Sequence, residues 1–436
     1  MGKVGLSSSV KNIPYFFRKN WSYVIGYSFL FIGLRIIGGN ACFQADANCW
    51  QSWSIYAVEH GLANVYSLRY NDYPPLYHYV LYSFGKLMGG NPARIADHLH
   101  YLKIFTLLFD FGGALLVASL APRGRERVFL SLLLLLNVAY LYNTLVWQQV
   151  DAIYSCLCFG AIIAALQGRS VLVGLLFVLA LNMKLQSVIF FPPLILILLS
   201  HWRRAPKLLV RTIGVSILLQ LIILIPFIWA GDYNYLPRIW SIVRGAGDRH
   251  PFISLNAFNF WHLLIWVQSL RSVSDTLCFA GFSYKHWGLL LFGMASAVVL
   301  WPLFWQALQL FIRQEVMSIV YYPLILLTCG LLPIVFSYFN TQMHERYWHA
   351  SLLFLVSYGY LIKNYWLFIL TSIAYFLNLE SVSQQFHCQS FILYNAQFIA
   401  VVFTLVLILG IMQLYSETSK LRSSQPSVKA VYSQAV

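Results

Sequence analysis

Residues 208–230 read LLVRTIGVSILLQLIILIPFIWA, and this stretch decides the fold class. Its only charged residue is Arg211, near its beginning. An α-helix needs about 20 mostly apolar residues to cross the hydrocarbon core of a bilayer. The stretch therefore predicts a transmembrane helix.

The composition of the whole chain agrees with this prediction. Over 436 residues, 59% are hydrophobic, 10% are charged, and the mean hydropathy is +0.68, which excludes an ordinary soluble domain. Apolar runs of similar length recur, so we expect an all-α integral membrane protein with about 12 (11–13) transmembrane helices. The predicted spans are 20–38, 98–120, 128–146, 149–167, 170–183, 185–200, 208–230, 286–309, 318–338, 346–362, 364–380 and 390–414.

Basic residues set the expected orientation, because cytoplasmic loops carry an excess of Lys and Arg. We expect a cytoplasmic N-terminus at 1–19, a single transmembrane domain at 20–415, and a cytoplasmic, disordered tail at 416–436. The two runs around Lys184 are short, and we interpret them as a pair of half-spans that meet below the outer surface. The cations that support this threading are Lys3, Lys11, Arg18, Lys19, Arg123, Arg125, Arg127, Arg169, Arg203, Arg204, Lys207, Arg211, Arg313, Lys363, Lys420, Arg422 and Lys429.

Two long outer segments, residues 39–97 and 231–285, are expected to form the active-site face. Most of the acidic residues and histidines fall on this side of the threaded chain. The stretches at 50–66 and 76–88 are amphipathic and rich in aromatic residues, which predicts helices lying in the membrane interface.

The net charge of +15 would favour nucleic acid as the partner of a soluble chain, but no nucleic-acid motif is present. Much of the excess positive charge lies in the predicted cytoplasmic loops, where it sets the orientation of the chain. Several cations nevertheless lie on the outer side, against the positive-inside rule, and an anionic ligand such as a phosphate would explain them. They include Arg69, Arg94, Lys184, Arg238, Arg244, Arg249 and Arg346.

Four short motifs share the expected outer face. They are Asp46 after the first span, Asp72-Tyr-Pro-Pro-Leu76, Trp147-Gln-Gln-Val-Asp151 leading to Lys184-Leu-Gln186, and Met343-His-Glu-Arg-Tyr347. In this order they resemble the polyprenyl-phosphate-sugar-dependent glycosyltransferases of the GT-C superfamily, close to bacterial relatives of the GPI- and dolichol-pathway mannosyl- and glucosyltransferases. The resemblance covers roughly residues 20–365.

Two positions depart from the pattern of that superfamily. Asp46 lacks the second acidic residue that many such mannosyltransferases carry beside it, and Gln148 stands where a glycine is common. The sequence requires no cofactor and leaves open whether a divalent cation assists.

The chemistry of transfer from a lipid phosphate assigns roles to these residues. The acceptor hydroxyl needs a general base, and the departing phosphate needs positive charge. Asp46 is the predicted base for a single displacement that inverts the anomeric configuration. The predicted phosphate and donor ligands are Lys184, Arg346, Arg244, Arg249 and His344. The predicted sugar and acceptor ligands are Asp151, Trp147, Gln148, Asp72, Tyr73 and Glu345.

Structural roles compete with each assignment. Asp46 fits a solvated loop carboxylate, and Lys184 fits a side chain extending to the interface. Arg346 fits an ion pair with Glu345 or Asp151. His344 and His349 are five residues apart rather than four, which disfavours a zinc site on one helical face. Cys42 and Cys49 can form a disulfide only if their segment is irregular.

The predicted function is therefore an inverting hexosyltransferase, with mannose favoured as the sugar. Its partners would be a polyprenyl-phosphate-linked donor, a glycan, lipid or protein acceptor, and membrane lipids. The expected location is the bacterial inner membrane, or the endoplasmic reticulum membrane of a eukaryote, with the site on the periplasmic or lumenal side. The alternatives are a transporter or flippase of a lipid-linked glycan, and an outer-face oligosaccharide ligase or polymerase.

Overall fold

The computed structural model describes residues 21–267, 269–387 and 390–424. These residues form an almost entirely α-helical protein, as predicted. The α-helices are Trp21–Gly38, Gln44–His60, Pro75–Leu87, Pro92–Asp97, Leu102–Ala118, Gly124–Leu135, Val138–Tyr142, Asp151–Leu166, Ser170–Met183, Phe191–Arg204, Pro206–Trp229, Leu236–Arg244, Trp261–Leu264, Tyr284–Arg313, Tyr322–Phe339, His349–Ile362, Trp366–Ser383 and Ala396–Ser424.

Short elements connect these helices. The 3₁₀ turns are Leu62–Ser67, Leu99–Tyr101, Leu185–Phe190, Gly245–Gly247, Leu270–Ser272 and Ile319–Tyr321, and one π-helical turn covers Asn143–Trp147. A two-stranded antiparallel hairpin pairs Cys278–Phe279 with Phe282–Ser283.

Within the described ranges, eight helices are long and apolar enough to cross a membrane, or nine if one bent pair counts as a single span. The prediction of about 12 spans is therefore not confirmed, although every predicted run is largely helical. Three of the runs form shorter apolar helices, at Asp151–Leu166, Ser170–Met183 and His349–Ile362. Twenty residues of helix match the core of a bilayer, and these three fall short of that length.

Burial separates central helices from peripheral ones. The span Ile319–Phe339 has 78% of its apolar window buried, whereas Pro206–Trp229 has 11% buried. A helix that is apolar on all sides needs an apolar neighbour or lipid around it. The first therefore lies in the centre of the bundle, and the second presents most of its surface to lipid.

The predicted span 128–146 is bent by 55° between Gly124–Leu135 and Val138–Trp147. Its end is a π-helical turn, a form that is rare in proteins as a whole but is often found at functional sites. The turn stops at Gln148, whose φ of +63° is left-handed. Because of this reversal, Trp147 and Gln149 point to a different side of the chain from Gln148.

The helix that ends at Met183 is interrupted at Lys184, whose backbone is extended. A 3₁₀ turn follows, and the next helix begins at Phe191 with Pro192 and Pro193 in its first turn, where proline is tolerated. This break places Lys184 between two helical segments. Because Leu185–Arg204 is long and apolar enough to cross a membrane and only Ser170–Met183 is shorter, the predicted pair of half-spans is not confirmed.

The two long loops contact each other. Asp232 N–H donates to Asn64 Oδ1 at 2.8 Å, and Arg238 donates to the carbonyl of Arg69 at 2.8 Å. The second loop also pairs with the motif near 343, since Leu255 N–H donates to Met343 O at 3.0 Å. The first loop, the second loop and the 340–348 segment therefore lie at one end of the bundle.

The last helix continues to Ser424, so residues 416–424 of the predicted tail are helical, and Leu421 within them is 7% exposed. Residues 1–19 and 425–436 lie outside the described part.

Candidate active site

Asp46 lies in the first turn of the helix Gln44–His60 and faces the end of the bent span. Its Oδ2 accepts hydrogen bonds from Trp147 Nε1 at 2.9 Å and from Gln149 Nε2 at 2.7 Å. Arg346 Nη1 lies 3.8 Å from the same oxygen. Three groups from two distant parts of the chain thus hold one oxygen of a carboxylate that is 22% exposed.

The electrostatic surroundings keep Asp46 ionised. Burial by itself raises the pKa of this carboxyl, but the positive charge of Arg346 and the hydrogen bonds from Gln149 and Trp147 lower it further, so that the net pKa is below its ordinary value. Asp46 is therefore a carboxylate at neutral pH.

Asp151 and Lys184 form a second, deeper part of the site. Lys184 Nζ donates to Asp151 Oδ1, and both side chains are almost fully buried. Asn143 Nδ2 donates to the other carboxylate oxygen at 3.0 Å and to Tyr375 Oη at 3.1 Å. A buried charge requires a partner and hydrogen bonds, and Asp151 has both.

Arg346 joins the two parts. Its Nη1 donates to Glu345 Oε1 at 2.9 Å, and its Nε lies 3.9 Å from Asp151 Oδ2. His344 Nδ1 lies 3.3 Å from the same Nη1. Burial lowers the pKa of Arg346, but Asp46 and Glu345 raise it more, so it remains a cation.

The pKa of His344 is lowered by burial and by Arg346, which favours neutral imidazole. Burial raises the pKa of Glu345, but His344 and Arg346 outweigh that effect and lower it. Glu345 is therefore an ionised carboxylate. It is 1% exposed and pairs with Arg346 on the buried side of that arginine.

These five charged residues form what we call the central cluster: Asp46, Asp151, Lys184, Glu345 and Arg346. Three carboxylates face two cations, so the cluster carries a net negative charge. One atom stands out: the buried Nε of Arg346 has no hydrogen-bond partner in the described residues. A buried donor without a partner is costly, and a ligand oxygen would satisfy it.

A second pair lies beside the cluster. Arg249 Nε is 3.1 Å from Asp72 Oδ2, and each side chain is 29% exposed. Burial is the largest influence on the pKa of Asp72 and raises it, although Arg249 acts in the opposite direction. Tyr73 Oη donates to Gln149 Oε1 at 3.3 Å. The His250 ring lies 6.2 Å from the His344 ring.

Three predicted site residues are placed differently from their expected roles. Gln148 turns away and donates to the carbonyl of Leu99 at 2.8 Å. Trp147 is 1% exposed and stacks on Phe43 at 4.4 Å, so its ring is covered where a sugar would stack. Arg244 is exposed, lies over the Trp240 ring, and has no contact with the central cluster.

Other residues of the site were not predicted. Gln149 belongs to the quoted motif, but only the left-handed turn at Gln148 shows which glutamine faces Asp46. Asn143 and Tyr375 carried no signal beyond being polar residues in apolar spans, a pattern that marks functional or paired groups.

Among the described residues, no group of three or more His, Cys, Asp or Glu side chains is placed to hold a metal ion. His349 stacks on the Tyr140 ring at 5.0 Å, away from His344. Cys42 and Cys49 are free, so the possible disulfide between them is absent.

Part of the chain matches a known protein family. Residues 103–245 match the family model described as "ALG3 protein", a family of dolichol-phosphate-mannose-dependent mannosyltransferases of GT-C type. This match supports a GT-C superfamily glycosyltransferase. The matched region contains Trp147–Asp151 and Lys184, two pieces of the site. No curated protein matches the chain.

The predicted GT-C resemblance is thus confirmed. The matched family supports a membrane glycosyltransferase that uses a lipid-linked sugar donor, and the apolar helices point to a multi-pass membrane protein. Asp46 and the 343–347 motif lie outside the matched residues, so only their contacts in the structure support a role for them.

Proposed function

We propose that this GT-C protein transfers mannose from a polyprenyl-phosphate carrier to a hydroxyl of a lipid-linked acceptor, with inversion at the anomeric carbon. Asp46 is the general base, and the reaction takes place at the periplasmic or lumenal end of the bundle. The donor class follows the family, whose members use dolichol-phosphate-sugar donors and lipid-linked acceptors.

The observation that carries this proposal is the unequal use of the two oxygens of Asp46. Trp147, Gln149 and Arg346 all engage Oδ2. Among the described residues, no hydrogen bond engages Oδ1. A base that is oriented through one oxygen and open at the other is suited to accept the proton of an attacking hydroxyl.

Exposure distinguishes Asp46 from its neighbours and favours a single displacement. Asp151 is 0% exposed and Glu345 is 1% exposed, so neither reaches a sugar as a nucleophile. A retaining mechanism requires two accessible carboxyl groups close to the same anomeric carbon. Of the three carboxylates in the central cluster, only Asp46 is open.

The phosphate of the donor is assigned to Arg346 and Arg249, with His344 as a neutral hydrogen-bonding partner. Arg346 Nε lacks a hydrogen-bond partner, and its contacts with Asp46 and Asp151 are longer than hydrogen bonds, at 3.8 and 3.9 Å. Lys184 was predicted for this role but is neutralised by Asp151. We therefore assign Lys184 to holding Asp151.

Asp72 and Tyr73 line the same region and are assigned to the hydroxyls of the sugar and the acceptor, whereas Glu345, predicted for this role, is buried against Arg346. Asp72 and Tyr73 precede the helix Pro75–Leu87, whose first turn contains Pro75 and fixes the corner of the loop. Tyr73 Oη already contacts Gln149, so it lies within two hydrogen bonds of Asp46.

The test is a transfer assay with purified protein in lipid, a radiolabelled polyprenyl-phosphate mannose and an acceptor lipid extract. Asp46→Asn removes the base but keeps the shape of the side chain, and should lower kcat by at least about 10²-fold while donor binding persists. Asp97→Asn is the matched control, because Asp97 is exposed at the end of the helix Pro92–Asp97.

Two results would contradict the proposal. If Asp46→Asn transfers mannose at the wild-type rate, Asp46 is not the base. If labelled lipid crosses the membrane without forming a new glycosidic bond, the protein is a transporter and not a transferase.

A further inference from the structure

Lys103 is a fully buried cation that binds backbone carbonyls instead of a carboxylate. Its side chain is 0% exposed, and its Nζ donates to Leu145 O at 2.6 Å, Gly38 O at 2.9 Å and Gly39 O at 3.4 Å. These three acceptors use the three protons of the ammonium group. No ion pair to Lys103 is found in the described ranges.

The three carbonyls belong to helix ends, which explains why a cation fits between them. Gly38 and Gly39 lie at the C-terminus of the helix Trp21–Gly38, where the last carbonyls lack intrahelical partners. Leu145 lies in the π-helical turn. Carbonyls at helix C-termini carry partial negative charge, and a cation there is stabilising.

The same junction holds the residues that orient Asp46. Phe43 N–H donates to Trp147 O at 3.2 Å, and the rings of Phe43 and Trp147 stack at 4.4 Å. The next residue after Phe43 begins the helix that carries Asp46. Lys103 thus binds both chain segments, one ending at Gly39 and one containing Leu145, just before they reach Asp46 and Trp147.

Gly38 makes this contact possible. A Cβ added there would lie 3.1 Å from Leu145 Cδ2 and 3.3 Å from Leu145 O, which is tighter than ordinary packing. The first span therefore approaches the π-helical turn backbone to backbone, and Lys103 spans the gap.

We propose that Lys103 is a positioning residue for the transfer reaction, which sets the distance between the first outer loop and the π-helical turn and thereby the orientation of Asp46. This inference rests on the proposed function, since it assigns Lys103 to the base of that reaction.

The experiment combines kinetics with hydrogen exchange on the full-length protein in lipid. Lys103→Met keeps the length of the side chain and removes the three hydrogen bonds. Lys363→Met is the matched control, because Lys363 is exposed, its side chain lies over the Tyr360 ring, and the helix His349–Ile362 separates it from Arg346 of the central cluster. Hydrogen exchange read by mass spectrometry follows the backbone at 39–47 and 143–149.

We expect Lys103→Met to lower kcat by about 10²-fold, since a displacement near 1 Å has an effect of that size, and to change the donor KM by less than about twofold. Exchange should become faster at 39–47 and 143–149 and stay unchanged elsewhere. In an Asp46→Asn background, Lys103→Met should cause no further loss of rate, because two residues that act through one group are not additive.

Three results would overturn the proposal: wild-type kcat in Lys103→Met, an equal fold loss with and without Asp46, or faster exchange throughout the protein, which would indicate a general structural role. The exchange measurement does not depend on catalysis. If the wild-type protein forms no glycosidic bond, the proposed function fails, and unchanged exchange at 39–47 would separately refute the positioning by Lys103.

Discussion

Trp147 Nε1 donates a 2.9 Å hydrogen bond to Asp46 Oδ2, although the two residues are 101 positions apart. The bond joins the first outer loop to the end of the bent span, in a place where the indole is 1% exposed. A hydrogen bond to a charged group contributes about 1.5–3 kcal/mol. Trp147 therefore acts on the proposed base itself, whereas the sequence predicted it as a ligand of the sugar or the acceptor.

The first prediction concerns the pH dependence of transfer. Asp46 must be ionised to accept a proton, so kcat/KM falls as the pH drops through the pKa of Asp46. Burial raises this pKa, but Arg346, Gln149 and Trp147 lower it further. In Gln149→Met one of the lowering contacts is gone, so the pKa rises and the acidic limb of the kcat/KM profile moves to higher pH.

Gln148→Met is the control for that profile. The neighbouring glutamine donates to Leu99 O and does not contact Asp46, so its loss should leave the acidic limb in place. Equal profiles for Gln149→Met and the wild-type protein would show that the Gln149 hydrogen bond does not affect the base.

The second prediction concerns the buried pair Lys184 and Asp151. Removal of one partner from a buried ion pair leaves an uncompensated charge and costs about 3–5 kcal/mol. Lys184→Met and Asp151→Asn should each lower the unfolding midpoint in detergent, measured by thermal denaturation. The double variant should be more stable than the additive sum of the single changes.

Additive losses would contradict the pairing. A loss of donor affinity in Lys184→Met at unchanged stability would instead restore Lys184 to the phosphate site and remove it from its role beside Asp151.

The third prediction concerns recognition of the donor phosphate. Arg249→Gln should raise the donor KM by about tenfold or more with a small effect on kcat, since the loss of a charge-assisted hydrogen bond of about 1.5–3 kcal/mol weakens binding by that order. Arg244→Gln is the matched control, because Arg244 is exposed and contacts Trp240. The measurement is steady-state transfer at varied donor concentration.

Equal effects of the two arginine variants would indicate long-range attraction between these positive charges and the donor phosphate instead of a contact at Arg249. Such an effect would also weaken strongly with added salt, because exposed charges are screened.

Much of the fold was predictable, because apolar runs of helical length have few alternatives in a membrane. Each run from 20–38 to 390–414 became largely helical. The span count was less predictable, since runs such as 346–362 form short helices that length alone does not assign to a full crossing. The extension of the last helix to Ser424 was missed because its polar composition resembles a tail.

The site was predicted at the level of motifs and less well at the level of roles. Asp46, Asp151, Glu345 and Arg346 do converge, as their shared outer placement suggested. The pairing of Lys184 with Asp151 depends on which faces two helices present to each other. The choice between Gln148 and Gln149 depends on one left-handed residue, which the sequence motif does not reveal.

The central claim is that Asp46 serves a single displacement on a lipid-phosphate-linked sugar. The most direct test is the anomeric configuration of the transferred mannose, determined by NMR on product made from a donor of known configuration. The account predicts inversion: a β-linked donor gives an α-linked product. Retention of the donor configuration would contradict it, because two successive displacements require an accessible second carboxylate. Asp151 and Glu345 are too buried to provide it, and Asp72 is paired with Arg249.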